Sequence, residues 1–81
     1  MLHEFSLVLN RPPTEAECNR LYEAGLDDGT ISTIGGISRI DVGREAGSME
    51  SAIREAIGQV GSIGLAVTRV EIEADQFAAH S

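Results

Sequence analysis

The sequence contains no lysine and no tryptophan, and Cys18 is its only cysteine. A single cysteine excludes an internal disulfide and is typical of a reducing compartment. The three aromatic residues, Phe5, Tyr22 and Phe77, are too few to form a platform that stacks single-stranded nucleic acid. No apolar run approaches the length of a membrane span, and the N-terminus lacks the basic and apolar segments of a signal peptide. A soluble, cytoplasmic protein without membrane contact is therefore expected.

The charge of the chain is strongly one-sided. Thirteen acidic residues face six basic residues, all of them arginine, and the net charge is −7. Phosphate would repel such a surface, so direct binding of nucleic acid is not expected. The field of the molecule favours a basic protein partner, although acidity of this kind also serves solubility alone.

The length of 81 residues predicts one domain, residues 1–81, with 73–81 as a frayed or short helical tail. Period-two alternation predicts strands, and apolar stripes behind Thr14 and Ser48 predict two capped helices. The order βαββαβ is that of an α+β, ferredoxin-like sandwich, with two helices on one face of a four-stranded antiparallel sheet. The predicted strands are 3–9, 30–34, 37–42 and 65–72, and the helices are 14–24 and 49–60, with loops at 26–29 and 43–47.

The sequence does not group the residue types that usually form catalytic or metal-binding sites. His3 and His80 stand at opposite ends of the chain, and no paired spacing of His or Cys predicts a metal site. Cys18 lies on the apolar stripe of the first helix beside acidic neighbours, which favours a buried structural thiol. Gly35-Gly36 fits a hairpin turn, because a phosphate-binding loop needs a lysine and a strand-to-helix setting. No catalytic residue, metal or cofactor is therefore expected, and the chain is predicted not to be an enzyme.

The candidate partner-binding residues are acidic and fall in two clusters. The second cluster, Glu71, Glu73 and Asp75, occupies alternate positions. An extended chain would therefore direct its carboxylates to one side at a spacing of about 6.8 Å. One DNA strand rises about 3.4 Å per phosphate, so the row would match every second phosphate. The pattern predicts a DNA mimic, and the alternative is a solvated face or a strand edge protected by charge. The clusters are Glu23, Asp27 and Asp28, after the first helix, and Glu71, Glu73 and Asp75, from the end of the last strand.

Several segments together resemble the small α/β N-terminal domain of bacterial proteins that carry a C-terminal helix-turn-helix. The resemblance covers nearly the whole chain and implies a sensing or interaction module with no catalytic residue. No helix-turn-helix follows the last strand here, so a stand-alone module is expected. The segments are Phe5-Ser6-Leu7-Val8-Leu9-Asn10-Arg11-Pro12-Pro13-Thr14-Glu15-Ala16-Glu17, Leu21-Tyr22-Glu23-Ala24-Gly25-Leu26-Asp27-Asp28, Asp41-Val42-Gly43-Arg44-Glu45-Ala46 and Arg69-Val70-Glu71.

Two functions remain as hypotheses. The first is an acidic inhibitor that binds a basic protein surface, such as a nucleic-acid-binding complex, and blocks access of nucleic acid. In size and composition the chain is similar to phage-encoded anti-CRISPR proteins. The second is a sensing or dimerisation module related to helix-turn-helix regulators or antitoxins. Its interface would be an uncovered sheet face or edge, built from apolar residues such as Val8, Leu65 and Val67. Under either hypothesis the chain is expected to be a monomer or a weak homodimer.

Overall fold

The computed structural model describes residues 2–73. They form four strands, two helices and one short 3-10 turn, in the order predicted from the sequence. The strands are β1 Leu2–Leu9, β2 Gly29–Ile34, β3 Ile37–Glu45 and β4 Val67–Glu71. The helices are α1 Glu15–Glu23 and α2 Met49–Gly61, and the 3-10 turn is Leu26–Asp28.

Both helices begin at the side-chain caps that the sequence predicts. Thr14 Oγ1 accepts a hydrogen bond from the Glu17 amide at 3.2 Å, while the Glu17 carboxylate accepts one from the Thr14 amide at 2.9 Å. Ser48 Oγ accepts a hydrogen bond from the Ser51 amide at 3.1 Å. Each cap satisfies an amide that has no partner within its helix, which fixes the first turn.

The four strands form one antiparallel sheet in the order β2-β3-β1-β4. Each α-helix connects two strands that run parallel to each other with one antiparallel strand between them. β2 and β3 are joined by the two-residue turn Gly35-Gly36, whose φ angles of 60° and 79° suit a primed hairpin turn. The predicted α+β class, with a four-stranded antiparallel sheet and two helices, is confirmed.

The core lies on one face of the sheet, between the strands and both helices. Alternate side chains of β1 and β3 face it, with Phe5 opposite Val42 and Leu7 opposite Ile40. The core is closed by a few small or branched residues from the helices and loops. These are Leu21, Leu26, Ala52, Ala56, Val60 and Leu65. The opposite face of the sheet has no helix over it among residues 2–73.

β3 is longer and β4 shorter than the sequence predicts. The expected loop at 43–47 is wrong in its first part, because Gly43, Arg44 and Glu45 continue the ladder with β1. Arg44 interrupts the apolar alternation of the strand, so the sequence pattern ends too early. At the other end of the sheet, β4 begins at Val67, where its pairing with β1 starts opposite Leu9, and Leu65 is buried ahead of the strand.

The burial of four side chains differs from the prediction. Val8 and Leu65 are buried, and Val67 is partly buried and packs against the core, so these three residues expose little apolar area for the expected association surface. Cys18 is half-buried rather than buried. Because each turn of α1 presents only part of its circumference to the sheet, Leu21 takes the central position and Cys18 lies at the margin.

Candidate functional site

The open face of the sheet carries the side chains that alternate with the core residues. On this face Ser6 lies opposite both Asp41 and Glu71, and Val8 lies opposite both Arg39 and Arg69. The register therefore brings residues of β3, β1 and β4 into one surface. Within residues 2–73 both helices pack on the other face, so neither of them covers this surface.

A groove of about 430 Å³ lies at one end of this open face. This is the end where β1 begins and where β3 and β4 finish. The groove is lined by carboxylates from three strands and from the residues after β4, and no arginine lines it. Its lining residues are Glu4, Phe5, Ser6, Asp41, Val42, Gly43, Glu71 and Glu73.

Two arginines border the groove through ion pairs with Glu71. Arg39 Nε lies 2.8 Å from Glu71 Oε1, and Arg69 Nη2 lies 3.2 Å from Glu71 Oε2. The hydrogen bond from Arg39 lowers the pKa of Glu71, and the same bond raises the pKa of Arg39. Glu71 is therefore held ionised and oriented across β1, while Asp41 accepts a hydrogen bond from the Ser6 hydroxyl.

The predicted acidic cluster near the last strand is brought in part to this groove. Glu71 and Glu73 both line it, as expected for alternate positions of an extended chain. β4 finishes at Glu71, so Glu73 projects from the segment after the strand. Asp75 lies outside the described residues.

The predicted cluster after the first helix lies at the same end of the sheet, because β2 starts at Gly29 opposite Val42. Glu23 and Asp27 are exposed there. Asp28 differs from them, because its carboxylate accepts hydrogen bonds from Nε and Nη2 of Arg44, each at 2.9 Å. Arg44 is 8% exposed, so this pair has a structural role.

The sequence alone did not identify Glu4 and Asp41 as site residues. Both occupy strand positions where an exposed acid is ordinary, and neither belongs to an acidic run. They become part of the groove through the pairing of β1 with β3, where Ser6 faces Asp41 and Glu4 faces Gly43. Alternation on β1 was the one available signal, since it places Glu4 and Ser6 on the same face.

The opposite end of the open face has a different character. A second groove, of about 480 Å³, lies beside the β2–β3 turn. Its one charged lining residue is Arg69, and the exposed apolar residues Ile34 and Ile37 flank the turn. The sheet therefore changes along its strands from an acidic end to a largely uncharged end.

Within residues 2–73, no three His, Cys, Asp or Glu side chains are grouped as ligands for a metal ion. In the same range, no helix is long and apolar enough to cross a bilayer. Comparison of the chain with protein-family models, with curated proteins and with solved structures gave no match.

Proposed function

We propose that this chain is a non-enzymatic interaction protein that docks on a basic protein surface through the acidic end of its sheet. The single observation that carries the proposal is the groove in which Glu4, Asp41, Glu71 and Glu73 converge from different parts of the sequence. The ion pairs from Arg39 and Arg69 both go to Glu71, and the chain as a whole carries a net charge of −7. A partner with arginine or lysine side chains would complement this charge.

The remaining acids at this end extend the same surface. Glu45 pairs with Leu2 at the first position of the β1–β3 ladder, and Glu23 and Asp27 are exposed beside the start of β2. The acidic area therefore continues from the groove around the end of the sheet. Electrostatic complementarity over such an area speeds association and selects basic partners, and added salt weakens it.

In its narrower form, the proposal describes an anti-CRISPR-like inhibitor that covers the nucleic-acid site of its partner. The placement of Glu71 and Glu73 along one groove supports this form, because a basic cleft for nucleic acid accepts a row of carboxylates. In this form the partner cannot hold the inhibitor and nucleic acid together. Competition with double-stranded DNA therefore distinguishes the inhibitor form from docking elsewhere on the partner.

We further propose that the fold is the ferredoxin-like sandwich. The strand order β2-β3-β1-β4 with antiparallel neighbours supports it, as does the βαββαβ order of the elements. Each helix then belongs to a split βαβ unit. This arrangement leaves the face that carries the groove open.

The test compares two variants with the same change in net charge. Asp41→Asn with Glu73→Gln neutralises two acids of the groove, while Glu15→Gln with Glu50→Gln neutralises two exposed acids on the helices. Each tagged protein is used to capture partners from a bacterial lysate at low and moderate salt, with identification by mass spectrometry. The captured partner is then purified, and its affinity is measured with and without DNA.

Under the proposal, the wild type and the helix variant retain one basic partner at low salt, and the groove variant loses it at least tenfold. Equal loss in both variants would show that net charge alone governs binding, and it would refute docking at the groove. Displacement of the protein by DNA would support the inhibitor form. Simultaneous binding of DNA and protein would exclude that form.

A further inference from the structure

β2 forms one edge of the sheet, and within residues 2–73 no strand pairs with its outer side. Its six residues, Gly29 to Ile34, contain no charged side chain and no proline, and none of them is buried. In a two-residue hairpin the residues that flank the turn exchange hydrogen bonds, here Ile34 and Ile37. By alternation, the backbone amides and carbonyls of Gly29, Ile31 and Thr33 point outward from the sheet.

The other edge of the sheet is protected in the ways that natural proteins use. β4 has five residues and presents the charged side chains of Arg69 and Glu71. Its pairing with β1 is also irregular between Val8 and Leu9. Charge and irregular pairing discourage the addition of another strand. The β2 edge has neither, so it is the edge open to pairing.

We propose that two copies of this chain pair antiparallel through their β2 edges and form a continuous eight-stranded sheet. A two-fold axis perpendicular to the sheet places Ser32 opposite Ser32 of the second copy. Thr30 then faces Ile34, and Ile31 faces Thr33, with both open faces on the same side. The outward backbone groups of Ile31 and Thr33 meet in this register, and every pair of side chains is uncharged.

The distribution of charge selects a second copy in this orientation. The acids that line the groove lie at the end where β2 begins, and the end at the Gly35-Gly36 turn has a groove whose one charged lining residue is Arg69. Antiparallel pairing therefore directs the two acidic ends away from each other. Ile34, which is 74% exposed, gains the methyl-bearing side chain of Thr30 from the second copy as its neighbour. A parallel arrangement would instead bring the acidic ends together.

The interface is small, because it consists mainly of one six-residue strand from each copy. Its area falls below the standard size of stable complexes, so we expect a dissociation constant weaker than about 1 μM. Salt should leave this dimer intact or strengthen it, since it screens the repulsion between two chains of net charge −7. This response is opposite to the one expected for docking at the acidic groove.

Sedimentation analysis of the wild-type chain over a wide range of concentration tests the proposal. Ser32→Lys places two lysines opposite each other at the two-fold axis and should keep the protein monomeric. Thr68→Lys is the matched control, because it makes the same change in charge at an exposed position on the β4 edge. Circular dichroism and urea denaturation of each variant establish that the monomer is folded.

The expected result is a concentration-dependent dimer for the wild type and for Thr68→Lys, and a folded monomer for Ser32→Lys. A wild type that remains monomeric at the highest concentration would overturn the proposal, as would equal dimerisation of the two lysine variants. Both substitutions leave the residues of the acidic groove unchanged, and the groove variant leaves β2 unchanged. Failure of dimerisation and failure of docking are therefore observed separately.

A cross-linking experiment tests the register. Opposing residues in a pair without mutual hydrogen bonds have Cα atoms about 4.5 Å apart, which a disulfide can span. In a Cys18→Ser background, Ser32→Cys should form a covalent dimer under mild oxidation. Thr30→Cys should not, because it faces Ile34 of the second copy. Efficient cross-linking by Thr30→Cys alone would refute the proposed pairing.

Discussion

Arg44 donates two hydrogen bonds to the carboxylate of Asp28. Its Nε lies 2.9 Å from Oδ2 and its Nη2 lies 2.9 Å from Oδ1. The same guanidinium donates from Nη1 to Glu55 at 3.1 Å and from Nη2 to the Gln59 side chain at 3.0 Å. One buried cation from β3 thus connects the end of the 3-10 turn with α2. These hydrogen bonds connect the 3-10 turn and α2 to the sheet in addition to the contacts of the apolar core.

Removal of the carboxylate from this pair should destabilise the fold. Asp28→Ala leaves Arg44, which is 8% exposed, with weaker partners, so we expect the free energy of unfolding to fall by about 2–4 kcal/mol. Asp27→Ala is the control, because it removes an exposed acid beside the pair and should change stability by less than about 0.5 kcal/mol. Urea denaturation of the three proteins gives both values. Equal effects of the two substitutions would contradict a specific role for the Arg44–Asp28 pair.

The sequence predicts local features of this fold well. The Thr14–Glu17 cap, the Ser48 cap and the Gly35-Gly36 turn each depend on residues within four positions of one another, and all three are confirmed. These signals are short because capping and turn bonds close within one turn of the chain. They were sufficient to predict the order of the elements.

The sequence does not predict features that depend on the register of distant strands. Arg44 has the sequence context of a loop residue, and it becomes buried only because β3 continues to pair with His3 and Leu2 of β1. Glu4 and Asp41 likewise reach the groove through pairings that span more than thirty residues. No local pattern identifies which acid of one strand will face which acid of another. For this reason Glu71 and Glu73 were predicted, and the opposite wall of the groove was not.

The Glu17 carboxylate should titrate far below the usual range for glutamate. The hydrogen bond from Arg11 and that from the Thr14 amide lower its pKa to about 2. Arg11 donates through both Nη1 and Nη2, each at 2.7 Å. An NMR titration of the side chain should show this value directly, and Arg11→Ala should move it upward. A pKa near 4.5 in the wild type would contradict the bidentate contact.

This shift has a defined consequence for the effect of pH on stability. The pKa is lower in the folded state than in the unfolded state, so the carboxylate stabilises the fold above the unfolded pKa. The contribution is lost as pH falls from about 5 to 2. Glu17→Gln removes it, so the variant should lose less stability over this interval than the wild type. Urea denaturation at several pH values within the interval measures the difference.

Two glycines should respond to alanine in opposite directions. Gly36 has a φ of 79° in the hairpin turn, so Gly36→Ala should cost about 1–2 kcal/mol. Gly58 lies inside α2, and among the described residues a methyl group there would meet no atom within 4 Å apart from its chain neighbours and the backbone of its own helix. Gly58→Ala should therefore raise the free energy of unfolding by about 0.5–1 kcal/mol. Thermal or urea denaturation measures the change in stability of both variants. A stabilising effect of Gly36→Ala would exclude the primed turn.

The imidazole of His3 is expected to contribute less to stability than a phenyl ring at the same position. His3 is 4% exposed on the face of β1 that contacts the core, and its Nε2 atom has no hydrogen-bond partner among residues 2–73. Burial of a polar atom without a partner costs about 1–3 kcal/mol. His3→Phe retains a planar ring and removes this atom, so the free energy of unfolding should rise by up to about 1 kcal/mol.

Leu7→Ala, at a fully buried position in the same strand, is the comparison and should lower the free energy of unfolding by about 2–5 kcal/mol. Urea denaturation distinguishes the cases, and a loss of stability in His3→Phe similar to that in Leu7→Ala would show that the Nε2 atom has a partner in solution.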